Sequence, residues 1–468
     1  MCKNARDVVC SSTRPYEHER ITIRMGNDVT QTESRSEALY ARALKCLPGG
    51  VSRNAVLRRP HPFYAVRGEG CRVWDIEGVE RLDFDNNMAS LIHGHAHPEI
   101  VAAVSEQIKK GTAFTLATEQ EVVYAELMVQ RSQSFEKIRF VNSGTEAVMA
   151  CLKAARAFTG RPMIAKAEGA YHGLYDYAEV SQTSKPENWG DIDKPASVPV
   201  TYGTPPSALS DVVIIPFNDC ERAKSILDGY AGKLACVLID PMPHRVGVVP
   251  ATSEFVQTLR SWCDANGALL VFDEVITFRS NYGGAQDWFK AKPDLTALGK
   301  MIGGGFPVGA LAGRRDVMDV LNPLVDRVLF PHSGTFSANP VTMVAGRAAM
   351  LQLNASEVIR VNALATRARK QIAEAAAIAG VPACVTGGGS MFRVHLKAEP
   401  PHDYRSGFAG PEETAKAAML LDHLFANGIM MINSCSATIS TPMGDPEIDR
   451  LTEVMLGAFR RIAEHPRR

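Results

Sequence analysis

Continuous apolar runs alternate with helical segments through the middle of the chain, from about residue 95 to residue 315. Runs that lack polar alternation are typical of strands in a parallel sheet buried on both faces. The pattern therefore predicts an α/β fold with a mostly parallel central sheet flanked by helices. The predicted strands are Ile138–Val141, Met163–Ala165, Val212–Ile215, Cys236–Ile239 and Ala268–Phe272.

The two ends of the chain mix short strands with amphipathic helices. Near the N-terminus the spacing predicts a helix over 34–46 and a hairpin formed by 63–66 and 71–74. After Pro340 it predicts helices over 341–353 and 357–379, strands over 391–396 and 430–432, and a terminal helix over 445–462. We predict a polar N-terminal arm at 1–33, a large domain at 91–330, and a smaller α+β domain built from residues 34–90 and 331–468.

The composition disfavours several classes of partner. Lys plus Arg and Asp plus Glu both number 51, so no excess of positive charge favours nucleic acid or an anionic membrane surface. The ten cysteines are scattered without CxxC spacing, which indicates reduced thiols in a cytoplasmic protein. No apolar run is long enough to span a bilayer, and no apolar core follows the charged N-terminus as in a secretory signal.

The last predicted strand of the sheet is followed directly by a carboxylate, Asp273, and a lysine, Lys300, follows on a glycine-flanked turn. Such an acid can keep a pyridine nitrogen protonated, and a lysine in an apolar setting can form a Schiff base, so the pair indicates pyridoxal phosphate. Asp273 and Val275 are two residues apart on this predicted strand, so they should point the same way and can both meet the cofactor ring. Taken alone, the pair also fits a structural acid and an ordinary lysine.

A predicted strand-to-helix junction contains Ser143, Gly144 and Thr145. Free N–H groups and the helix dipole favour a phosphate at such a place, although an ordinary Ser/Thr helix cap has the same composition. Tyr171 and His172 follow another predicted strand. An aromatic residue there can stack on a planar cofactor or pack in the core.

Two further polar segments contain residues that could contact a ligand. Thr335 lies in a polar turn before a helix, where its hydroxyl can reach a phosphate or cap the helix. His93, His95 and His97 alternate before a proline, which is not a tetrahedral zinc pattern, and no cysteine cluster supports them. We therefore predict no metal site.

The order of these motifs closely resembles that of the class III aminotransferases, in the branch of glutamate-1-semialdehyde aminomutase and the β-amino-acid aminotransferases, from about Ala38 onward. The resemblance implies a fold-type I pyridoxal-phosphate enzyme that works as a homodimer with shared active sites. The motifs that carry it are Leu47–Arg53, Ile92–Pro98, Asn142–Ala147, Tyr171–Gly173, Asp273–Val275, Leu298–Lys300 and Gly334–Pro340.

The resemblance also implies roles for single residues. Lys300 forms the internal aldimine with pyridoxal 5'-phosphate, and Asp273 contacts the pyridine nitrogen. Thr335 reaches the phosphate of the neighbouring subunit's cofactor. The other cofactor-binding residues that it implies are Ser143, Gly144 and Thr145 at the phosphate and Tyr171, His172 and Val275 at the ring.

The chain departs from the family pattern near the expected site. Asp240 and Pro241 stand where the family has a Glu-Pro pair, and Ile276–Arg279 follows the DEV triplet as in the β-amino-acid-like members. Arg53 stands where β-amino-acid aminotransferases are expected to use an arginine for the substrate carboxylate. Further candidates for substrate contact are His244, Arg245 and Arg393.

We therefore predict an aminotransferase that moves an amino group from an amino acid, with β-amino acids among the candidates, to an oxo-acid acceptor. An aminomutase resembling the glutamate-1-semialdehyde enzyme, or an ammonia lyase, stays open because both would use the same cofactor residues. A non-catalytic binding protein on this fold is the remote alternative, since fold alone does not prove function. The intact Asp273 and Lys300 argue against it.

Overall fold

The computed structural model describes residues 34–464, so the polar arm predicted at 1–33 lies outside the described residues. Elements within this range are numbered in chain order. Its strands are β1 Ala65–Glu69, β2 Arg72–Asp75, β3 Glu80–Asp83, β4 Lys137–Val141, β5 Met163–Ala167, β6 Gly190–Asp191, β7 Lys194–Pro195, β8 Val212–Ile215, β9 Leu234–Ile239, β10 Leu269–Asp273, β11 Leu295–Gly299, β12 Gly309–Gly313, β13 Cys384–Gly388, β14 Met391–His395, β15 Ile429–Met430 and β16 Ser436–Thr438.

Helices surround these strands. They are α1 Arg35–Ala43, α2 Asn86–Ala89, α3 Pro98–Lys110, α4 Glu119–Arg131, α5 Gly144–Thr159, α6 Asp176–Glu179, α7 Pro206–Ser210, α8 Cys220–Asp228, α9 Ser253–Asn266, α10 Arg315–Met318, α11 Pro340–Gln352, α12 Ala355–Ile378, α13 Pro411–Ala426 and α14 Asp445–Glu464. Short 3-10 turns occur at Pro48–Gly50, Asn54–Val56, Thr277–Ser280, Ala285–Trp288, Lys300–Gly303 and Asp319–Leu321.

The central sheet has the strand order β4-β12-β11-β10-β9-β5-β8. The strands from β11 to β8 in that order pair in parallel, whereas β12 pairs antiparallel with both β11 and β4. The predicted mostly parallel sheet in an α/β fold is therefore confirmed. Neither β11 nor β12 was predicted, and β12 reads Gly-Ala-Leu-Ala-Gly, which lacks the β-branched residues that mark strands.

Both faces of the central sheet are covered, as the apolar runs predicted. In β10, Leu269 and Val271 pack into the core on one face of the sheet, together with residues of α5. Leu270 and Phe272 pack into the core on the other face, together with residues of α9. All five residues of β10 are buried, so the strand brings its terminal Asp273 to the sheet edge within a rigid layer.

A second core joins the two ends of the chain. Its buried side chains come from Cys71, Leu82 and Phe84 and then from residues 361–462, including α12 and α14. β15 pairs in parallel with β3, which ties the C-terminal segment to the N-terminal strands. This packing supports a small domain built from both ends, and the boundaries at 90 and 330 stay predictions.

The structure corrects one element of the sequence interpretation. β10 ends at Asp273, and Val275 lies in the turn that follows, so the two residues do not share a strand. The turn is fixed instead by the Asp273 carboxylate, whose Oδ1 accepts the Val275 N–H at 3.0 Å. Among residues 34–464, no helix has the length and apolar character that crossing a membrane requires.

Candidate active site

A cavity of about 540 Å³ opens at the carboxyl ends of β9 and β10. Ligands of open α/β sheets bind at this edge because the loops that follow parallel strands converge there. Asp240 follows β9, Asp273 ends β10 and Lys300 follows β11. The predicted residues that line the cavity are Arg53, Ser143, Gly144, Thr145, Tyr171, His172, Asp273, Val275 and Lys300.

Lys300 occupies an unusual position at the floor of this cavity. Its backbone is left-handed, with φ 49°, a conformation that non-glycine residues adopt mainly where the surrounding structure enforces it. Burial lowers the pKa of the Lys300 amine to about 8, although the nearby carboxylates of Asp273, Asp240 and Asp85 act in the opposite direction. About one tenth of this amine is therefore unprotonated and nucleophilic at pH 7.

Asp273 is held by two partners. Its Oδ2 lies 2.8 Å from Nδ1 of His172, and its Oδ1 accepts the N–H of Val275. Burial lowers the pKa of His172, outweighing the hydrogen bond and charge of Asp273, which raise it. The imidazole is therefore neutral and donates from Nδ1 to the carboxylate. These two contacts fix the orientation of the Asp273 carboxylate, and the side chain lines the cavity.

The junction between β4 and α5 forms the second wall. Ser143 caps α5, because its hydroxyl accepts the N–H of Glu146 at 3.1 Å. The first N–H groups of a helix have no carbonyl partner within it, and here they belong to Gly144 and Thr145. A Cβ at Gly144 would lie 2.8 Å from Cγ1 of Val275, so only glycine lets this turn approach the Val275 side chain so closely.

Two further buried acidic residues, Asp240 and Glu274, lie near Asp273. Burial and the neighbouring Asp273 raise the pKa of Asp240 well above its usual range, and its Oδ1 accepts the N–H of Met242 at 2.8 Å. Glu274 is fully buried, and burial raises its pKa to about 8 despite the hydrogen bonds from Gln286 and Ala285. Asp240 lines the cavity, whereas Glu274 fixes the chain that follows β10.

Several predicted site residues do not line this cavity. Thr335 borders a separate surface cavity together with Phe114 and Leu116. Arg245 lies over the ring of Tyr171, 5.1 Å from its centroid. His244 contacts the Ser434 hydroxyl through Nε2 at 3.0 Å, and Arg393 donates to the His244 carbonyl at 3.3 Å. None of these three residues is among those that line the cavity.

Other residues at the site were not assigned from the sequence. Asn87 and Ser90 line the cavity on the α2 turn, and Asp85 acts electrostatically on Lys300. Lys166 is fully buried behind Tyr171, where its Nζ donates to the carbonyls of Ala170 at 2.9 Å and Val180 at 2.7 Å. Consecutive asparagines are a usable signal for α2, because asparagine tolerates left-handed backbone better than most residues.

The alternating histidines have ordinary structural partners. His93 contacts the Thr441 hydroxyl at 3.0 Å and the Ala349 carbonyl at 2.8 Å, and His95 contacts Asp83 at 2.8 Å. Within residues 34–464 no group of three or more His, Cys, Asp or Glu side chains is arranged to hold a metal ion.

A profile of the family described as aminotransferase class-III matches residues 54–443. The chain belongs to the class III aminotransferases. Among solved structures, this class III aminotransferase is similar to an omega-transaminase from Sphaerobacter thermophilus, with 45% identity, coverage of 94% of this chain and 100% of that one, and a TM-score of 0.90. It is also similar to a beta-phenylalanine aminotransferase from Variovorax paradoxus, with 31% identity, coverage of 90% and 93%, and a TM-score of 0.79.

Among characterised relatives, this class III aminotransferase is 38% identical over 371 residues to glutamate-1-semialdehyde 2,1-aminomutase from Methanothermobacter thermautotrophicus, covering 79% of this chain and 86% of the relative. The protein is a pyridoxal-phosphate-dependent enzyme. The cavity fits this cofactor, because its volume is within the usual range of about 300–1,000 Å³ for small-molecule sites. It also combines a nucleophilic lysine, a strand-end carboxylate and a glycine that keeps a helix N-terminus open.

Proposed function

We propose that the protein is an aminotransferase that moves an amino group from a β-amino acid to an oxo acid. The observation that carries the proposal is one cavity that unites Lys300 and Asp273 with the guanidinium of Arg53. A cation in the same cavity as the reactive amine favours donors that bear a carboxylate. The similarity to the omega-transaminase and to the beta-phenylalanine aminotransferase supports this direction.

We propose that the cofactor is held by the residues at the cavity wall. Gly144 and Thr145 offer helix N–H groups to its phosphate, and Asp273 offers a carboxylate to its pyridine nitrogen. Tyr171 and Val275 offer an aromatic and an aliphatic face to the ring. When bound, pyridoxal phosphate supplies an aldehyde for a Schiff base with Lys300 and a ring that withdraws electrons from the substrate's reacting carbon.

Lys300 then acts as the acid and base of the reaction. A lysine with a pKa of about 8 can accept a proton from a substrate carbon and return it, because both of its protonation states are populated near neutral pH. Asp240 lines the same cavity, and burial together with the neighbouring Asp273 raises the pKa of its carboxyl well above the usual range, which favours the protonated form.

A specific observation also favours a second candidate, an aminomutase. The relative from M. thermautotrophicus is a glutamate-1-semialdehyde 2,1-aminomutase and matches most of the chain. An aminomutase moves the amine within one molecule, whereas an aminotransferase needs a separate oxo-acid acceptor. The cofactor residues are common to both reactions and do not separate them.

A half-reaction experiment separates the candidates. Purified enzyme is mixed with α-, β- or ω-amino donors, and the cofactor absorbance is followed with and without pyruvate or 2-oxoglutarate. An aminotransferase converts its cofactor stoichiometrically without acceptor and turns over only when acceptor is present. Isomerisation of glutamate-1-semialdehyde without acceptor would establish the aminomutase instead, and release of ammonia would establish a lyase. Lys300→Ala should be inactive with every donor.

We also propose that the enzyme works as a homodimer with shared active sites. Three large apolar side chains are exposed around the second cavity: Leu116 is 82% exposed, Phe336 is 60% exposed and Phe114 is 51% exposed. Thr335 borders this cavity, and its role would be to reach the cofactor of the partner subunit. A partner chain would bury these side chains and remove an apolar patch from water.

We further propose a cytoplasmic location. In the described part of the chain all eight cysteines are free, and most are buried. Free thiols at this number are typical of a reducing compartment.

A further inference from the structure

The α2 turn has an exceptional backbone. Four consecutive non-glycine residues, Asn86, Asn87, Met88 and Ala89, have φ values of 50°, 52°, 56° and 69°. L-residues visit this left-handed region singly, and a complete left-handed turn is unfavourable because each Cβ crowds the following carbonyl. Such strain persists only where the surrounding structure enforces it, and it clusters at functional sites.

Carboxylates hold the start of this turn. Asp83 Oδ1 accepts the N–H groups of Asp85 at 3.0 Å and Asn86 at 2.9 Å. Asp85 Oδ1 accepts the N–H of Met88 at 2.5 Å. The two carboxylates therefore accept three backbone N–H groups of the turn, which a right-handed helical turn would pair differently.

Both domains hold the rest of the turn. The Asn86 amide donates to the carbonyl and the hydroxyl of Thr438, at 2.9 and 3.0 Å. Arg279 is fully buried, and its Nη1 donates to the Ala89 carbonyl at 3.1 Å. The same guanidinium donates to Ser390 and to the Ile439 carbonyl. The left-handed turn is thus fixed from the small domain and from the segment that follows Asp273.

Asn87 is the residue of this turn that lines the cavity. Its Oδ1 accepts from Arg53 Nη1 at 2.6 Å, and its Nδ2 donates to the Ser90 hydroxyl at 3.1 Å. That hydroxyl donates in turn to the Asn87 carbonyl at 2.8 Å. All three residues line the cavity, so the orientation of the Asn87 amide is set on both sides.

The partner of Arg53 is neutral. Among residues 34–464, Arg53 forms no salt bridge, and its hydrogen bond goes to an amide oxygen. Asp85 lies near enough to interact electrostatically with Arg53, but its Oδ1 is engaged by the Met88 N–H. The guanidinium is therefore oriented without a side-chain carboxylate that compensates its charge directly.

We propose that Asn87 determines the specificity of the enzyme for carboxylate-bearing substrates. Its neutral amide oxygen holds the Arg53 guanidinium in the cavity, and the carboxylate of the substrate then replaces this oxygen. A carboxylate binds a guanidinium more strongly than an amide oxygen does, so the exchange is favourable. An aspartate at the same position would neutralise Arg53 and compete with the substrate. This inference rests on the proposed function, because it deepens the role given there to Arg53.

The test uses Asn87→Asp holoenzyme and hydrocinnamate, a carboxylate without an amine that cannot be transaminated. Aspartate tolerates left-handed backbone, so the turn is retained. Isothermal titration calorimetry should show that N87D binds hydrocinnamate at least about tenfold more weakly than the wild type. The matched control is Asn427→Asp, which adds the same charge at an exposed position at the end of α13 and should leave the affinity unchanged.

A double-mutant cycle assigns the effect to Arg53. The Arg53→Met variant should itself bind hydrocinnamate weakly. Adding Asn87→Asp to it should lower the affinity for hydrocinnamate no further than adding N427D does. An N87D enzyme that binds as tightly as the wild type, or an equal loss in the R53M background, would overturn the proposal. Calorimetry does not require amine transfer. If the wild type transfers no amine, but Asn87→Asp still weakens hydrocinnamate binding only when Arg53 is present, the proposed function is refuted and this inference is supported.

Discussion

The neutral imidazole of His172 donates a hydrogen bond to the carboxylate of Asp273, with Nδ1 2.8 Å from Oδ2 and both side chains buried. The two residues lie far apart in sequence: His172 is in the loop that follows β5, and Asp273 is the last residue of β10. His172 thereby fixes the orientation of the acid that we propose for the pyridine nitrogen. The Nε2 atom of His172 is buried and has no hydrogen-bond partner within residues 34–464.

The first prediction concerns this contact. His172→Leu removes the donor and leaves a buried carboxylate under-solvated, so kcat/KM should fall by about 10- to 100-fold. The pH titration of the bound cofactor's absorbance should shift as well, which loss of packing alone would not cause. His172→Asn keeps a donor near the Nδ1 position and should recover part of both effects. Wild-type kinetics and titration in His172→Leu would refute the role.

The second prediction concerns the pKa of Lys300, which burial lowers to about 8. The unprotonated amine is the nucleophile, and its fraction rises as the pH rises through the pKa. In cofactor-free protein, the rate of pyridoxal phosphate attachment should therefore increase up to about pH 8 and level off above about pH 9. Stopped-flow absorbance measures this rate, and Lys300→Met lacks the covalent phase. A midpoint near the ordinary lysine value of 10.5 would contradict the structure.

The third prediction concerns Gly144. An added Cβ would lie 2.8 Å from Val275 Cγ1, so Gly144→Ala must displace either the helix start or the ring-facing side chain. The dissociation constant for pyridoxal phosphate should rise at least about tenfold, measured by equilibrium dialysis. The control is Gly410→Ala, also at a helix start, where a Cβ meets nothing within 4 Å. Equal affinity in the two variants would argue against a tight approach at Gly144.

The fourth prediction tests the shared active site. Thr335→Asp should repel the phosphate of the partner subunit's cofactor, and Lys300→Ala should inactivate its own subunit. If each site needs both chains, mixing the two inactive variants restores one intact site in each hybrid dimer. Random reassociation should then recover about a quarter of wild-type activity. Absence of recovery, with hybrid dimers verified by mass spectrometry, would place Thr335 outside the partner's site.

Much of the fold could be predicted because burial leaves a direct signal in the sequence. β9 and β10 are buried along their whole length and read as apolar runs, and α14 shows a clear amphipathic spacing. β12 gives no such signal, because its glycines and alanines fill a tightly packed place between β4 and β11. A Cβ at Gly309 would lie 2.0 Å from the Ser143 carbonyl oxygen, a constraint visible only in three dimensions.

The residues of the site also fall into those whose position could be predicted from the sequence and those whose position depends on distant contacts. Strand ends and a helix start place Asp273, Lys300 and the Ser143–Thr145 turn at one cavity, whereas their cofactor roles rest on the family resemblance and stay predictions. Asn87 could not be assigned, since its place depends on Asp83, Thr438 and Arg279, which hold a left-handed turn through distant contacts. His244 and Arg245 lie outside the cavity lining, where they contact Arg393 of β14 and Tyr171, and these contacts have no local signature in the sequence.

The small domain has a consequence for the order in which the protein is completed during translation. Asn86 bonds to Thr438, 352 positions later, and β3 gains its parallel neighbour β15 from the same late segment. The strands of the central sheet leave the ribosome well before that segment, so they can collapse around their own core first. We therefore expect the central sheet, with Asp273 and Lys300 at its edge, to form before the small-domain contacts that complete the turn carrying Asn87.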